Sequence, residues 1–170
     1  SYQTDVLVVG SGGGGMTAAL VAHDAGLTTL IVEKTPYYGG STACSGGGIW
    51  VPNNYLMKQA GVDDSLDLAR TYMQATVGNR TPQASQDAYL YHAARMIEWL
   101  RDHADLKWRY MLGYPDYYPE KPGGQAQGRA VEAELFDGNL LGADLAQLNP
   151  SLIEVPGGMA FTASEYQRLG

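Results

Sequence analysis

The sequence has little cysteine, little positive charge and no long apolar run. Its single cysteine, Cys44, cannot form a disulfide within the chain, so nothing indicates an oxidising compartment. With 11 Lys and Arg against 18 Asp and Glu, the net charge is −7, which argues against nucleic acid or an anionic membrane as the main partner. No apolar run approaches the roughly 18 residues of a membrane span, and residue 1 does not begin a signal peptide. We therefore expect a globular, cytoplasmic protein without an integral membrane segment in this portion, with peripheral attachment to a membrane left open.

Glycine, by contrast, is abundant. The 22 glycines concentrate in clusters at 10–15, 39–48 and 113–128. Glycine adopts backbone conformations that other residues avoid, and it lets a ligand approach the main chain closely. The clusters therefore predict tight turns or a ligand held against bare backbone.

The first glycine cluster lies between two predicted strands. Residues 5–10 (DVLVVG) are a short Val-rich run that predicts a buried parallel strand, and 28–34 (TTLIVEK) predict a second one. Between them, Ala, Leu and Met at helical spacing predict a helix that ends at Gly26. We expect a right-handed βαβ unit in an α/β, Rossmann-like domain with a parallel sheet and added helices.

Two further helices are predicted downstream. The segment 65–78 predicts a helix capped by Ser65. The segment 81–105 predicts a longer helix with Thr81 as N-cap and Pro82 at its first position. The core-facing stripe of the longer helix is expected to be Tyr89, Ala93, Met96, Ile97 and Leu100.

The remaining elements are fewer than a complete doubly wound domain needs. A strand is predicted at 106–111 and a short helix at 139–148. Only two strands for a parallel sheet are convincing, whereas a doubly wound domain needs about four or more. The chain is therefore expected to be the front portion of a larger protein.

Gly10, Gly12 and Gly15 have the G-x-G-x-x-G spacing of the dinucleotide fingerprint. They follow a predicted strand and open a predicted helix, and the acidic Glu33 ends the next strand, which is the context that the fingerprint requires. Gly10 permits the turn, Gly12 lets the main chain approach a pyrophosphate, and Gly15 lets the helix pack close to the strand. Amides at the helix N-terminus would bind the phosphates, and Glu33 would accept hydrogen bonds from a ribose diol. The sequence therefore predicts a dinucleotide site.

The segment that follows Glu33 favours FAD over NAD. In an NAD dehydrogenase the chain would normally enter another helix here. Instead it passes through two groups of glycines with Ser41, Thr42 and Ser45 between them. Such a segment can present amides and hydroxyls along a pyrophosphate, a ribityl chain and a flavin ring.

The motifs at 5–20 (DVLVVGSGGGGMTAAL), 32–54 (VEKTPYYGGSTACSGGGIWVPNN) and 113–124 (GYPDYYPEKPGG) together resemble a known family. The chain is similar to the 3-ketosteroid Δ1-dehydrogenases of the fumarate reductase/succinate dehydrogenase flavoprotein superfamily. The first two motifs are widely shared in that superfamily, and the third is more specific to the ketosteroid branch. Family members are much longer. The resemblance therefore implies that residues 1–170 are the N-terminal part of the FAD-binding domain of a two-domain flavoprotein.

The resemblance implies an activity and a set of site residues. Family members oxidise the C1–C2 bond of a 3-ketosteroid by proton abstraction at C2 and hydride transfer from C1 to flavin N5, and an external acceptor then takes the electrons. Tyr117 matches a catalytic tyrosine that hydrogen-bonds the tyrosine acting as base, while the base and the carbonyl-binding groups lie in later parts of the family sequence. No histidine lies near Ser41, where covalent-flavin relatives carry one, so FAD is expected to be non-covalent. The expected FAD contacts, from the fingerprint and the resemblance, are Gly10, Ser11, Gly12, Gly13, Gly15, Glu33, Lys34, Gly40, Ser41, Thr42, Ser45, Gly46 and Gly47.

The proposed chemistry gives a reason for a tyrosine in the third motif. A tyrosine with a pKa of about 10 is a poor base at neutral pH. A second phenol that donates a hydrogen bond to it stabilises its anion and lowers that pKa. A phenol pair also suits an apolar steroid pocket, which would penalise a charged carboxylate. We expect the proline-flanked loop to hold Tyr117 rigidly for this role and Tyr118 to pack.

Two other functions remain open from the sequence. One is a fumarate-reductase-like flavoprotein, whose dicarboxylate substrate would need several arginines. No arginine lies in the loop 113–124, so the sequence gives little support to the fumarate-reductase-like hypothesis. The other is a dinucleotide-binding electron-transfer module without a substrate of its own. No metal site is predicted, because His23, His92 and His103 lie in predicted helices without metal-like spacing.

Overall fold

Two parallel strands and the helix between them open the chain, as predicted. They are β1 (Val6–Val9), α1 (Gly13–Asp24) and β2 (Thr29–Val32). The strands pair in parallel along their whole length. The helix ends where Gly26 adopts a φ of 81° and donates its N–H to the carbonyl of His23 at 2.9 Å. The βαβ unit predicted from the sequence is confirmed.

The computed structural model describes residues 1–152, Thr162 and Glu165. Among these residues, 1–47, 135–152 and Thr162 form one unit. Residues 48–134 and Glu165 form the other. The βαβ unit belongs to the first, and the tyrosine loop at 113–128 belongs to the second.

The first unit also contains a short helix and a 3-10 segment. The helix α2 (Gly40–Ala43) directly follows the turn after β2. The short helix predicted at 139–148 is found as the 3-10 segment Gly138–Gln147, which is interrupted at Gly142, where φ is 56°. An isolated parallel bridge joins Tyr38 to Leu148 and brings this segment beside α2. The chain therefore returns from residue 135 onward to support the glycine-rich turns.

The first strand is less buried than the sequence predicts. Val8 is 9% exposed, but Leu7 is 56% and Val9 is 81% exposed. Alternate residues of a strand point to the same face, so Leu7 and Val9 share one face of the sheet. In the described part of the chain that face is uncovered, and the expectation of a fully buried strand is not met there.

The second unit is a helical layer with a small antiparallel sheet. The sheet has β5 (Ala130–Ala133) in the middle, with β3 (Ile49–Trp50) and β4 (Trp108–Tyr110) on either side, and every pair is antiparallel. Its strands contain only two to four residues, too few for an alternating pattern to appear in the sequence, and β3 and β5 were not predicted. The elements in chain order are β3 (Ile49–Trp50), α3 (Tyr55–Gln59), α4 (Leu66–Thr76), α5 (Gln83–Ala104), β4 (Trp108–Tyr110) and β5 (Ala130–Ala133).

The N-cap of α4 is the predicted residue, whereas that of α5 differs from the prediction by one residue. The Ser65 hydroxyl accepts the N–H of Leu68 at 3.1 Å and caps α4 as expected. In α5 the N-cap is Pro82 rather than Thr81, because the extended backbone of Pro82 (ψ 138°) places the first helical residue at Gln83.

The buried stripe of α5 includes the predicted Ala93, Ile97 and Leu100 but not Tyr89 or Met96. Tyr89 is 39% exposed, and its hydroxyl donates to the carbonyl of Trp50. Met96 is only partly buried. The buried residues of this helix are Gln86, Leu90, Ala93, Ile97 and Leu100.

The core of the second unit joins α5 to the antiparallel sheet. Trp108 of β4 is 8% exposed, and its indole N–H donates to the carbonyl of Ile97 at 3.0 Å. This packing fixes both strands from which the tyrosine loop departs. The core cluster consists of Val51, Ala93, Ile97, Leu100, Trp108 and Val131.

Candidate functional site

The fingerprint glycines have the geometry that their spacing predicts. Gly10 has a φ of 99°, and its N–H donates to the carbonyl of Val32 at 2.8 Å, which turns the chain at the end of β1. A Cβ added to Gly15 would lie 2.1 Å from the carbonyl oxygen of Gly10, so α1 can pack this closely only with glycine there. A Cβ on Gly12 would meet no atom within 4 Å. The main chain at Gly12 is therefore open to a ligand.

The second glycine cluster packs directly on the first. The N–H of Gly39 donates to the hydroxyl of Ser11 at 3.0 Å, and the N–H of Gly13 donates to the hydroxyl of Thr42 at 3.0 Å. A Cβ on Gly40 would lie 3.3 Å from the Cα of Gly12. The structure therefore brings together residues about 30 positions apart that the sequence assigned to one site.

Glu33 lies at the centre of this arrangement. Its Oε2 accepts the hydroxyl of Ser11 at 2.6 Å and the amide of Ser11 at 3.0 Å. Its Oε1 accepts the amides of Lys34 at 2.8 Å and Thr35 at 3.1 Å. The Ser11 hydroxyl above all, with these amides, lowers the pKa of Glu33 from 4.5 to about 2. Glu33 is ionised at neutral pH and holds residues 10–15, the glycine loop, closed. A ribose diol would donate to the same carboxylate alongside these donors.

The residues present fit a bound FAD. Gly12 provides no side-chain cap for α1, and no acidic side chain lies in the first turn, so nothing opposes a phosphate at this helix N-terminus. The amides of Ser11 and Gly13 already donate to Glu33 and Thr42. The hydroxyl of Thr42 accepts from Gly13 and keeps its own proton to donate to a phosphate oxygen.

The remaining predicted FAD contacts lie on α2 and just beyond it. Ser41 is exposed on α2, and Lys34 is exposed after β2. The hydroxyl of Ser45 donates to the Thr42 carbonyl at 2.8 Å and accepts the Gly47 amide at 3.1 Å. Neither Gly46 nor Gly47 would bring a Cβ within 4 Å of another atom, so their backbone is open as at Gly12.

The tyrosine loop connects β4 to β5 in the second unit. Tyr117 is 83% exposed. Tyr118 is 52% exposed with the Lys121 ammonium 5.9 Å from its ring centroid, so the expectation that Tyr118 packs is wrong. A Cβ on Gly128 would lie 1.7 Å from the carbonyl oxygen of Tyr114, which shows how tightly the loop closes.

A buried ionic cluster supports this loop, and the sequence analysis missed it. Arg129 is 1% exposed and donates to Asp64 at 2.7 and 2.9 Å and to Asp116 at 2.5 Å. Burial opposes the guanidinium charge, but the two carboxylates outweigh it and raise the pKa of Arg129. Its partner Asp64 is 65 positions away, so no local pattern announced the cluster.

Tyr114 is a second residue that the sequence analysis missed. The charge that Tyr117 carries when ionised, and then burial, raise the pKa of Tyr114. Tyr114 is therefore a second phenol close to Tyr117 in the same loop. The available signal was a further tyrosine in the same proline-flanked loop, YPDYY. The placement of Tyr117 beside a flavin stays a prediction.

Neither a membrane-spanning helix nor a metal-binding cluster is found among the described residues. None of the described helices is long and apolar enough to cross a membrane. Across residues 1–152, Thr162 and Glu165, no group of three or more His, Cys, Asp or Glu side chains could hold a metal ion.

Comparison with known proteins supports the resemblance inferred from the three motifs. The chain is 49% identical over 98% of its length to a 3-oxosteroid 1-dehydrogenase of Mycolicibacterium smegmatis and spans 29% of that protein. It is 34% identical over 98% of its length to a 4-oxocyclohexanecarboxylate 2-dehydrogenase of Sinomonas cyclohexanicum and spans 28% of it.

A solved structure is also similar to this chain. It is a 3-ketosteroid Δ1-dehydrogenase from Sterolibacterium denitrificans in complex with 1,4-androstadiene-3,17-dione. The match has a TM-score of 0.80 and 43% identity, and it covers 87% of this chain and 26% of the other. The resemblance inferred from the three motifs is confirmed. The family described as FAD binding domain matches residues 5–166, and the chain belongs to that family.

Proposed function

We propose that the protein containing this chain is an FAD-dependent 3-ketosteroid Δ1-dehydrogenase, in which residues 1–170 are the N-terminal part of the FAD-binding domain. The observation that carries the proposal is the 49% identity to a 3-oxosteroid 1-dehydrogenase over 98% of the chain. That match is long enough to include both the fingerprint and the tyrosine loop. A match to the cofactor motif alone would have supported many flavoproteins equally.

Bound FAD would supply the two-electron oxidant for the C1–C2 bond of the steroid. The glycine loop would bind the pyrophosphate through main-chain amides and the Thr42 hydroxyl, and Glu33 would orient the adenosine ribose. Nothing in the described segment offers the histidine of a covalent linkage near Ser41, which supports non-covalent FAD.

The role proposed for Tyr117 is to support the base that removes the C2 proton. Its exposed phenol can donate a hydrogen bond to a tyrosine supplied by a later part of the polypeptide. Tyr114, whose pKa is raised chiefly by the nearby Tyr117, would donate in turn to Tyr117. A chain of phenols spreads the developing negative charge without placing a carboxylate in an apolar pocket.

Anaerobic mixing of the full-length protein with substrates tests the proposal. A 3-ketosteroid should bleach the yellow flavin, and Tyr117→Phe should slow the bleaching by about 100-fold or more, within the usual range for loss of a group in acid–base catalysis. Bleaching by 4-oxocyclohexanecarboxylate but by no steroid would instead favour the activity named for the Sinomonas relative. Bleaching only by a reduced dye, with fumarate turnover, would indicate a fumarate-reductase-like enzyme. A colourless protein that binds no added FAD would contradict the proposal outright.

The proposal also includes a cellular location and an electron acceptor. A cytoplasmic location fits the single cysteine and the net charge of −7. An external electron acceptor must reoxidise the flavin, and a membrane-associated acceptor would explain peripheral attachment. Cell fractionation with and without high salt tests the location, because an electrostatic attachment is released by salt.

A further inference from the structure

We propose that Asp116, locked in place by Arg129, is a positioning residue that aims the phenol of Tyr117. The proposal rests on the function proposed above, in which Tyr117 takes part in catalysis. It assigns a positioning role to the buried charge cluster of Arg129, Asp64 and Asp116.

The residue before Tyr117 is fixed from three directions. Asp116 is 4% exposed. Its carboxylate accepts the indole N–H of Trp50 at 2.8 Å, the guanidinium of Arg129 at 2.5 Å and the backbone N–H of Gln125 at 3.0 Å. Its own N–H donates to the carbonyl of Gln125 at 3.1 Å. Neither the side chain nor the backbone of Asp116 can rotate without breaking several of these bonds.

The residue after Tyr117 is fixed as well. The N–H of Tyr118 donates to the hydroxyl of Tyr72 at 3.1 Å, and Tyr72 is 7% exposed. Tyr117 therefore stands between two anchored neighbours while its own ring is 83% exposed. Its phenol is therefore presented outward from an immobilised backbone.

Arg129 ties these anchors to the rest of the unit. It binds Asp64 with two hydrogen bonds and the Gly123 carbonyl at 2.8 Å, and its Cζ lies 5.6 Å from the ring centroids of both Trp50 and Tyr72. Buried ion clusters of this kind are often no more stabilising than apolar residues of the same volume. What they provide is one defined geometry, which suits a residue whose phenol must meet a partner within about 0.5 Å.

A double-mutant cycle in the full-length flavoprotein tests the proposal. Asp116→Asn keeps an oxygen that can accept from Trp50 but removes the charge facing Arg129. We expect it to slow anaerobic flavin reduction by a 3-ketosteroid by about 10- to 100-fold, as misplacement of a reacting group does. The dissociation constant of the steroid should stay unchanged. Asp87→Asn is the matched control, since Asp87 also pairs with an arginine, Arg70, but on the surface.

The decisive comparison repeats these variants in the Tyr117→Phe background. If Asp116 acts through Tyr117, Asp116→Asn should slow reduction there by less than about twofold, because its effect requires the phenol. An equal slowing in both backgrounds would mean a general structural role and would overturn the proposal while leaving the proposed function intact. Unchanged reduction in Asp116→Asn alone would overturn it too. A wild-type flavin that no 3-ketosteroid reduces would instead refute the proposed function, and this proposal with it.

A milder variant covers the case in which Asp116→Asn does not fold. Tyr72→Phe removes only the hydroxyl that accepts from Tyr118 and keeps the ring beside Arg129. The same dependence on the Tyr117 phenol is expected, with a smaller slowing of about 3- to 10-fold. Additive effects of Tyr72→Phe and Tyr117→Phe would count against the proposal.

Discussion

The glycine loop before α1 and the tyrosine loop between β4 and β5 are both tight turns that depend on glycine, yet different interactions hold them. The glycine loop is closed by hydroxyls and one carboxylate at its rim, through Ser11, Thr42 and Glu33. The tyrosine loop lies on a buried guanidinium, Arg129, which is 1% exposed and bound to two buried aspartates.

The difference follows from what each loop presents. A loop that binds a ligand with its main chain must keep side chains away, so it uses glycine and is held by short groups at its edges. A loop that presents one side chain can pack on buried side chains beneath it. Charge-assisted hydrogen bonds suit this role because they fix the geometry of the groups that they join. Removal of a supporting group should therefore lower the free energy of unfolding most under the tyrosine loop and less at the edge of the glycine loop.

The largest expected effect is that of Arg129→Met. It leaves Asp64 and Asp116 buried without their cation, and we expect the free energy of unfolding to fall by about 3–5 kcal/mol. Urea unfolding of the full-length protein measures it. Arg70→Met, which removes an exposed arginine with two aspartate partners, is the control and should stay within about 1 kcal/mol of wild type. Similar losses of stability for the two variants would show that burial of Arg129 does not set the cost of losing it.

Gly15→Ala should have the next largest effect. Its Cβ would overlap the Gly10 carbonyl oxygen at 2.1 Å, so the loop must shift at a cost of about 1–3 kcal/mol. We expect FAD to bind about tenfold more weakly or worse, as measured by flavin fluorescence titration. Gly14→Ala is the matched control, because a Cβ there meets nothing within 4 Å and alanine favours the helix. Equal affinities in the two variants would contradict the packing role of Gly15.

Ser11→Ala should have a moderate effect. The variant loses the hydroxyl that donates to Glu33 and accepts from the buried amide of Gly39. An amide left without its acceptor costs about 1–2 kcal/mol, which thermal unfolding of the FAD-loaded protein can detect. Ser85→Ala at an exposed position near the start of α5 is the control. A loss no greater than that of the control would mean that the two glycine clusters do not depend on Ser11.

The smallest effect is the pH dependence contributed by Glu33. Its pKa in the folded protein is about 2 against an ordinary 4.5, so its carboxylate stabilises the fold above pH 4.5 and this contribution disappears as the pH falls towards 2. The stability difference between wild type and Glu33→Gln should therefore be constant near neutral pH and shrink in acid. Denaturant unfolding across the pH range measures it. A difference that stays constant into acid would show that the carboxylate charge is not what closes the loop.

Much of the first unit could be predicted because its signals are local. Gly10, Gly12 and Gly15 lie within six residues of sequence. The two parallel strands lie close to them along the chain, so the βαβ unit could be recognised. The failures in this unit concern burial: Val9 belongs to an apolar run and yet is 81% exposed. An apolar run predicts a strand, but whether another element covers it depends on the rest of the fold.

The tyrosine loop was recognised by composition, but its support was attributed to the prolines. Proline restricts its own φ and its predecessor, and it cannot by itself direct a side chain. The bonds that hold Asp116 and Tyr118 come from Arg129, Trp50 and Tyr72, which are distant in sequence. The short strands β3 and β5 escaped prediction for the same reason, since their partners rather than their own pattern define them.

The sequence by itself determined the dinucleotide site, because a turn that must bring bare backbone against phosphates can be built only from glycine at fixed spacing. It also identified the loop that carries Tyr117. Only the tertiary structure decided that Glu33 closes the glycine loop through Ser11 and that a buried arginine supports the tyrosine loop. Spacing along the chain encodes backbone conformation, whereas the pairing of buried charges 65 positions apart depends on how the elements pack.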